Sequence, residues 1–90
     1  MKRISAQVIG RVQGVCYRYF CQSKANELGL SGWVKNQPDG SVLLEAQGEK
    51  ALLEQFLCQL EMGPPLAKVS AIKQTDVPNQ DGSQDFHITY

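Results

Sequence analysis

The chain has 90 residues, a formal net charge of zero and a hydrophobic share of 42%, which predicts one domain over residues 1–90 with a single modest core. A neutral chain lacks the overall field that gathers nucleic acid or anionic lipid, so any anion site must be local. Because the sequence has neither a membrane-spanning apolar run nor the apolar block of a signal peptide, we expect a cytoplasmic protein without a membrane or nucleic-acid partner.

The N-terminal part of the chain predicts a strand followed by a helix. Ile4, Ala6 and Val8 alternate with polar residues, which is typical of a strand with one buried face. Farther along, Gly29 ends an apolar pattern at helical spacing, as a C-cap glycine would. That pattern consists of Tyr17, Phe20, Cys21, Ala25 and Leu28.

The middle of the chain predicts a hairpin and a second helix. A short strand over residues 32–36 meets the turn sequence 37–40 and then an alternating strand over residues 42–47. The next apolar stripe has polar residues opposite and predicts an amphipathic helix that ends at residues 63–65. Its members are Leu52, Leu53, Phe56, Leu57 and Leu60.

The C-terminal part predicts a strand over residues 69–75, a polar loop over residues 76–85 and a closing strand that carries Phe86, Ile88 and Tyr90. The order is therefore β-α-β-β-α-β with an extra C-terminal strand, which predicts an α+β fold. In this ferredoxin-like α/β sandwich, two helices cover one face of an antiparallel sheet whose first and third strands lie in the middle. The fold serves many functions and does not decide among them.

The junction between the first strand and the first helix is the best candidate for a binding site. There the sequence runs Gly10-Arg11-Val12-Gln13-Gly14-Val15-Cys16-Tyr17-Arg18. Glycines permit a tight turn or a close approach to a ligand, and a helix that begins there adds unpaired N–H groups and the positive end of its dipole. The guanidinium of Arg18 can hold two phosphate oxygens at once. The run therefore predicts a cradle for a phosphoryl group.

The cysteine content argues against a disulfide framework and against a metal site. Three cysteines, an odd count, suit free thiols in a reducing compartment. Cys16 and Cys21 have no second pair at metal-ligand spacing, and His87 lies far along the chain. We expect both thiols to pack as small buried apolar side chains, and we expect neither a metal nor a cofactor.

Several blocks of the sequence, taken together, resemble the acylphosphatase family. They are the run over residues 10–18, Leu-Gly-Leu-Ser-Gly-Trp-Val-Lys-Asn over residues 28–36, Asp-Gly at residues 39–40 and the segment 63–69. The likeness covers nearly the whole chain. It implies a small, stand-alone ferredoxin-like enzyme that hydrolyses the carboxyl–phosphate bond of acyl phosphates, without a metal, to a carboxylate and inorganic phosphate. A monomer is the simplest arrangement for such a chain.

The resemblance also implies roles for individual residues. Arg18 resembles the arginine that grips the phosphate, and Asn36 resembles the residue that orients the attacking water. Tyr17 stands where the family usually has phenylalanine, and Gln37 stands where a small hydroxyl residue often follows the asparagine. The loop that surrounds the phosphate corresponds to the backbone of Val12, Gln13, Gly14, Val15, Cys16 and Tyr17.

The chemistry of an acyl phosphate explains how so few side chains could suffice. The leaving carboxylate has a conjugate acid with a pKa of about 4 to 5, so it needs no proton from the protein. Phosphoryl transfer then requires positioning and stabilisation of charge on the equatorial oxygens. Arg18 and the loop amides can stabilise that charge, and the amide of Asn36 can fix a water molecule.

Two other functions fit the same predicted fold. A regulatory module could bind an anionic metabolite in the cradle, but it would have no need of Asn36. An RNA-binding module stacks bases on aromatic residues of two central strands, whereas residues 4–9 and 42–47 include no aromatic residue. The sequence therefore favours hydrolysis of a small acyl phosphate and leaves the identity of the acyl group open.

Overall fold

The computed structural model describes residues 1–82 and 85–90, and the predicted strands and helices are present in it. Residues 76 and 77 continue the fourth strand, although the sequence predicts loop there, and the closing strand ends at Ile88, so Tyr90 lies outside it. Residues 83 and 84 of the predicted polar loop lie outside the described residues. The elements are β1 (Lys2–Arg11), α1 (Tyr17–Glu27), β2 (Ser31–Asn36), β3 (Val42–Gly48), α2 (Lys50–Met62), β4 (Lys68–Val77) and β5 (Phe86–Ile88).

The strands form one sheet in the order β4-β1-β3-β2-β5. β1 and β3 lie side by side in the middle of the first four strands, as predicted, and these four strands pair antiparallel. β5 differs from the expectation because it pairs parallel to β2, so the sheet is mixed. The path of the chain explains this direction. The last residue of β4 lies on the side of the sheet where β2 begins. β5 follows β4 in the chain, so it starts from that side and runs in the same direction as β2.

Both helices pack on the same face of the sheet, which confirms the predicted ferredoxin-like arrangement. The core joins alternate residues of the strands to one stripe of each helix, and each large apolar side chain buried in this way contributes about 1.5 to 3 kcal/mol. The residues of β1, β3 and the two helices that form the buried hydrophobic core are Ile4, Ala6, Val8, Val42, Leu44, Ala46, Tyr17, Cys21, Ala25, Leu53, Phe56 and Leu60. Among the described residues, no helix has the length and apolarity to span a bilayer.

The end of α1 has the hydrogen bonds that a C-cap glycine predicts. The N–H of Leu30 donates to the carbonyl of Ala25 at 2.9 Å, and the N–H of Gly29 donates to the carbonyl of Asn26 at 3.2 Å. This pair of bonds is a Schellman motif, which satisfies carbonyls left over at the end of a helix. It ends α1 and directs the chain into β2.

Gly10 lies at a bulge between β1 and β4, next to the predicted phosphoryl cradle. Its φ is +137°. A Cβ at this position would overlap the carbonyl oxygen of Lys68 and lie 2.8 Å from the backbone nitrogen of Ser70. The glycine is therefore required by the close approach of β4. A bulge also bends its strand, which here turns the end of β1 into the loop.

We expect Gly10→Ala to lower the free energy of unfolding by about 3 kcal/mol or more, because the new Cβ would collide with backbone atoms of β4. The matched control is Gly29→Ala, at a φ of +70° with no atom within 4 Å of the added Cβ. There the left-handed backbone alone should cost about 1 kcal/mol. Urea denaturation measures both values. Equal losses would contradict the contact with β4 as the reason for Gly10.

Candidate active site

Two predicted segments of the site meet at one end of the sheet. β1 and β2 each pair antiparallel with β3, which lies between them, so they run in the same direction and end together. The loop over residues 12–16 follows β1, and Asn36 is the last residue of β2. α1 begins at this same end with Tyr17. The topology therefore places Arg18 and Asn36 in one region.

A hollow of about 290 Å³ lies at this end of the sheet. At about 30 Å³ per water molecule, it has room for a phosphoryl group and part of its substituent. The residues that line it are Val12, Gly14, Cys16, Tyr17, Arg18, Tyr19 and Asn36. The hollow is thus lined by both Arg18 and Asn36. These are the two residues to which the family resemblance assigns the chemistry.

The loop over residues 12–16 has left-handed backbone at alternate positions. Gly14 has a φ of 73° and Cys16 a φ of 63°, whereas Val15 between them has a negative φ. Where a right-handed residue precedes a left-handed one, successive N–H groups turn toward one point and can bind an anion, so this loop is a candidate for such a site. Cys16 is also the N-cap residue of α1, and its side chain makes no capping hydrogen bond. The first N–H groups of the helix therefore have no side-chain acceptor from the cap.

The side chains of two loop residues lie outside the hollow. Val15 is 8% exposed and packs in the core. Gln13 donates from Nε2 to the carbonyl oxygens of Gln37 and Ser41, each at 2.8 Å. Of the predicted phosphate loop, these two residues therefore have only their backbone to offer to a ligand.

The two cysteines near the loop differ in exposure. Cys21 is fully buried, as expected, and burial raises the pKa of its thiol above the ordinary value. Cys16 is exposed, so the expectation that it is buried was wrong. The reason is helical spacing. Tyr17, Cys21 and Ala25 are four residues apart and form the buried stripe of α1, while Cys16 lies before the helix and outside that stripe.

Arg18 has no carboxylate partner in the ion pairs of the described residues. Its guanidinium carbon lies 5.1 Å from the ring centroid of Tyr90, a cation–π contact that orients the group without neutralising it. No pattern in the sequence indicates this contact, because the C-terminal alternation predicts only a strand. Among the described residues, no group of three or more His, Cys, Asp or Glu side chains could hold a metal ion.

Asn36 has an unsatisfied acceptor. Its Oδ1 is buried and has no hydrogen-bond partner among the described residues. A buried acceptor left unpaired costs about 1 to 3 kcal/mol and is rare in folded proteins. Because Asn36 lines the hollow, this oxygen is a candidate for a hydrogen bond to a ligand or a water molecule.

Tyr17 connects the start of α1 to the end of α2. Its hydroxyl donates to the carbonyl of Leu60 at 2.7 Å. A helical carbonyl normally accepts from the residue four positions ahead, but here that residue is Pro64, which has no N–H. Burial, with a smaller contribution from Cys21, raises the pKa of Tyr17 above its usual value, so the hydroxyl remains a donor. The hydroxyl at this position therefore caps α2.

Together these features define a class of protein, a small ferredoxin-like domain with a glycine-containing loop and a hollow ahead of its first helix. The sequence profile of the acylphosphatase family matches residues 4–88. An acylphosphatase of Thermus thermophilus is 50% identical over 88 residues, which are 98% of this chain and 99% of that protein.

Solved structures give the same result. The crystal structure of acylphosphatase from Bacillus subtilis is similar with a TM-score of 0.95 and 40% identity over the whole of both chains. An acylphosphatase structure from Coxiella burnetii gives a TM-score of 0.92 and 39% identity, covering 98% of this chain and 92% of that one. The chain therefore belongs to the acylphosphatase family, a family of hydrolases, and is an enzyme of that family.

We expect Tyr17→Phe to lower the free energy of unfolding by about 1 to 2 kcal/mol, because the carbonyl of Leu60 loses its donor. The rate at which Tyr17→Phe hydrolyses an acyl phosphate should not differ from that of the unchanged protein. The control is Tyr19→Phe, whose ring is 67% exposed and whose substitution should change stability by less than about 0.5 kcal/mol. Denaturation curves measure both. Equal stability of the two variants would contradict the capping role of the Tyr17 hydroxyl.

Proposed function

We propose that this protein hydrolyses small acyl phosphates to a carboxylate and inorganic phosphate without a metal ion. The family to which it belongs supports the reaction class. The observation that carries the assignment of residues is the content of the hollow. The hollow of about 290 Å³ is lined by Arg18 and Asn36. Among the residues that the structure describes, the guanidinium of Arg18 has no carboxylate partner and the buried Oδ1 of Asn36 has no hydrogen-bond partner.

The phosphoryl group binds to Arg18 and to backbone N–H groups of the loop from Val12 to Tyr17. The planar guanidinium donates two parallel hydrogen bonds to phosphate oxygens. In the loose transition state of phosphoryl transfer, negative charge is spread over the three equatorial oxygens. Donors that are already in place around these oxygens stabilise that charge without having to reorganise. The left-handed residues Gly14 and Cys16 support this arrangement of the loop.

Asn36 orients the attacking water. Its side-chain amide offers both hydrogen-bond donors and an acceptor, and it holds that water at the hollow that Asn36 lines. The water oxygen attacks phosphorus in line with the bond to the acyl oxygen. As the new P–O bond forms, the electrons of the breaking bond leave on the carboxylate. An amide is too weak a base to take the proton of the water, which passes to a phosphate oxygen instead.

The leaving group needs no acid from the enzyme. Its conjugate acid has a pKa of about 4 to 5, so it departs as a stable anion at neutral pH. The lining of the hollow agrees with this requirement, because the described residues around it include no histidine and no carboxylate side chain. Arg18, the N–H groups of the loop and the placement of the water thus account for the reaction.

We expect benzoyl phosphate to be hydrolysed in the presence of excess chelator, and Arg18→Ala to lower the rate about 100- to 1,000-fold. The loss of one charge-stabilising donor costs about 3 to 4 kcal/mol in the transition state. The control is Arg11→Ala, because Arg11 is exposed at the end of β1 and does not line the hollow. The rate of this variant should stay within about threefold of the original. Inactivation by the chelator would contradict metal independence, and an active Arg18→Ala variant would contradict the role of Arg18.

We expect Asn36→Asp to lose most of the activity although the two side chains have nearly the same shape. A carboxylate about 4 Å from a negative charge of the substrate adds about 4 kcal/mol of repulsion for each such pair of charges at an effective dielectric constant near 20. Initial rates with benzoyl phosphate test this expectation. The control is the same substitution at Asn79, Asn79→Asp. In the unchanged protein the amide of Asn79 donates to the carbonyl of Met1 at the opposite end of the sheet. More than about half of the original rate in Asn36→Asp would contradict the role of Asn36.

A further inference from the structure

The hollow is built from two segments that are separate in the sequence, and its geometry depends on the contact between them. The loop over residues 12–16 follows β1, and Asn36 ends β2 just before the turn over residues 37–41. No described residue donates to Oδ1 of Asn36. Its backbone belongs to β2, where Asn36 pairs with Val42, and leads directly into the turn closed by the bond from the Gln37 N–H to the Ser41 carbonyl.

The side chain of Gln13 joins the two segments. Its Nε2 donates to the carbonyl oxygen of Gln37 and to that of Ser41, each at 2.8 Å. An amide nitrogen carries two hydrogens, so both are used. The same carbonyls also accept backbone N–H groups within the turn, from Gly40 at 3.1 Å and from Gln37 at 2.9 Å. Each of these two oxygens thus has two donors, and one donor on each belongs to Gln13.

We propose that Gln13 is a positioning residue, whose side chain fixes the distance and orientation of Asn36 relative to the phosphate loop. This inference rests on the proposed function. Gln13 does not line the hollow, so its side chain does not contact the substrate. It acts through the turn, beginning with Gln37, which is the residue directly after Asn36.

Positioning of this kind affects the rate more than the binding of phosphate. Arg18 and the loop N–H groups belong to the segment that carries Gln13, so they keep their arrangement when the turn shifts. Asn36 belongs to the other segment and moves with the turn. A displacement of about 1 Å in a group that orients a reactant can cost about 100-fold in rate. The expected signature is therefore a loss in kcat with little change in the affinity for inorganic phosphate.

The first test is Gln13→Met, which removes both donors and keeps the length of the side chain. With benzoyl phosphate, kcat should fall at least about tenfold. The inhibition constant of inorganic phosphate should change less than about threefold. The matched control is Gln22→Met in α1. In the unchanged protein the amide of Gln22 donates to the carbonyl of Phe86 at 3.5 Å, and the kcat of this variant should be unchanged. Gln13→Asn, in which the amide is one methylene too short to reach both carbonyls, should show the same pattern and serves if Gln13→Met does not fold.

The second test is a double-mutant cycle with Asn36→Ala. If Gln13 acts through Asn36, then Gln13→Met lowers kcat less than about threefold further in the Asn36→Ala background. Losses in kcat that multiply overturn the proposal. So do an unchanged kcat in Gln13→Met and parallel losses in kcat and phosphate affinity. Full activity of Asn36→Ala alone is a distinct result, which refutes the water-orienting step of the proposed function and with it the positioning role of Gln13.

Discussion

The common direction of β1 and β2 is the constraint on which the site depends. Both strands pair antiparallel with β3 between them, so the loop after β1, the N-terminus of α1 and the end of β2 meet at one end of the sheet. The apolar core holds this arrangement, since both helices bury their stripes against the same face. The exit of each strand from the sheet is therefore fixed by packing, and the polar groups of the hollow need few direct contacts with one another.

Two features of the hollow are unfavourable for stability when taken alone. Cys16 has a left-handed backbone, which costs a residue with a side chain about 1 kcal/mol or more. Oδ1 of Asn36 is buried with no partner among the described residues, which also lowers stability. Features that break local rules tend to cluster at functional sites, and both of these lie at the hollow that the proposed function assigns to the substrate.

Local patterns predicted the strands, the helices and the end of α1, because alternation and helical spacing depend on which face is buried. The family resemblance, not the spacing, picked out Arg18 and Asn36. What the sequence missed are contacts between residues far apart in the chain, such as those of Arg18 with Tyr90 and of Gln13 with the turn after β2. Neither contact alters a periodic pattern. The bond from Tyr17 to α2 did leave a trace, since Pro64 cannot supply the N–H that the helix lacks.

The two ends of the described chain lie at opposite ends of the sheet. The carbonyl of Met1 accepts a hydrogen bond from Asn79 where β1 begins. Thr89 donates to the carbonyl of Val34 at 2.8 Å, so Tyr90 is held where β2 ends, beside Arg18. A tag, dye or fused domain attached before residue 1 would leave the mouth of the hollow clear. The same attachment after residue 90 would start next to the guanidinium of Arg18. There it could obstruct the entry of a ligand into the hollow or, if fluorescent, report on whether the hollow is occupied.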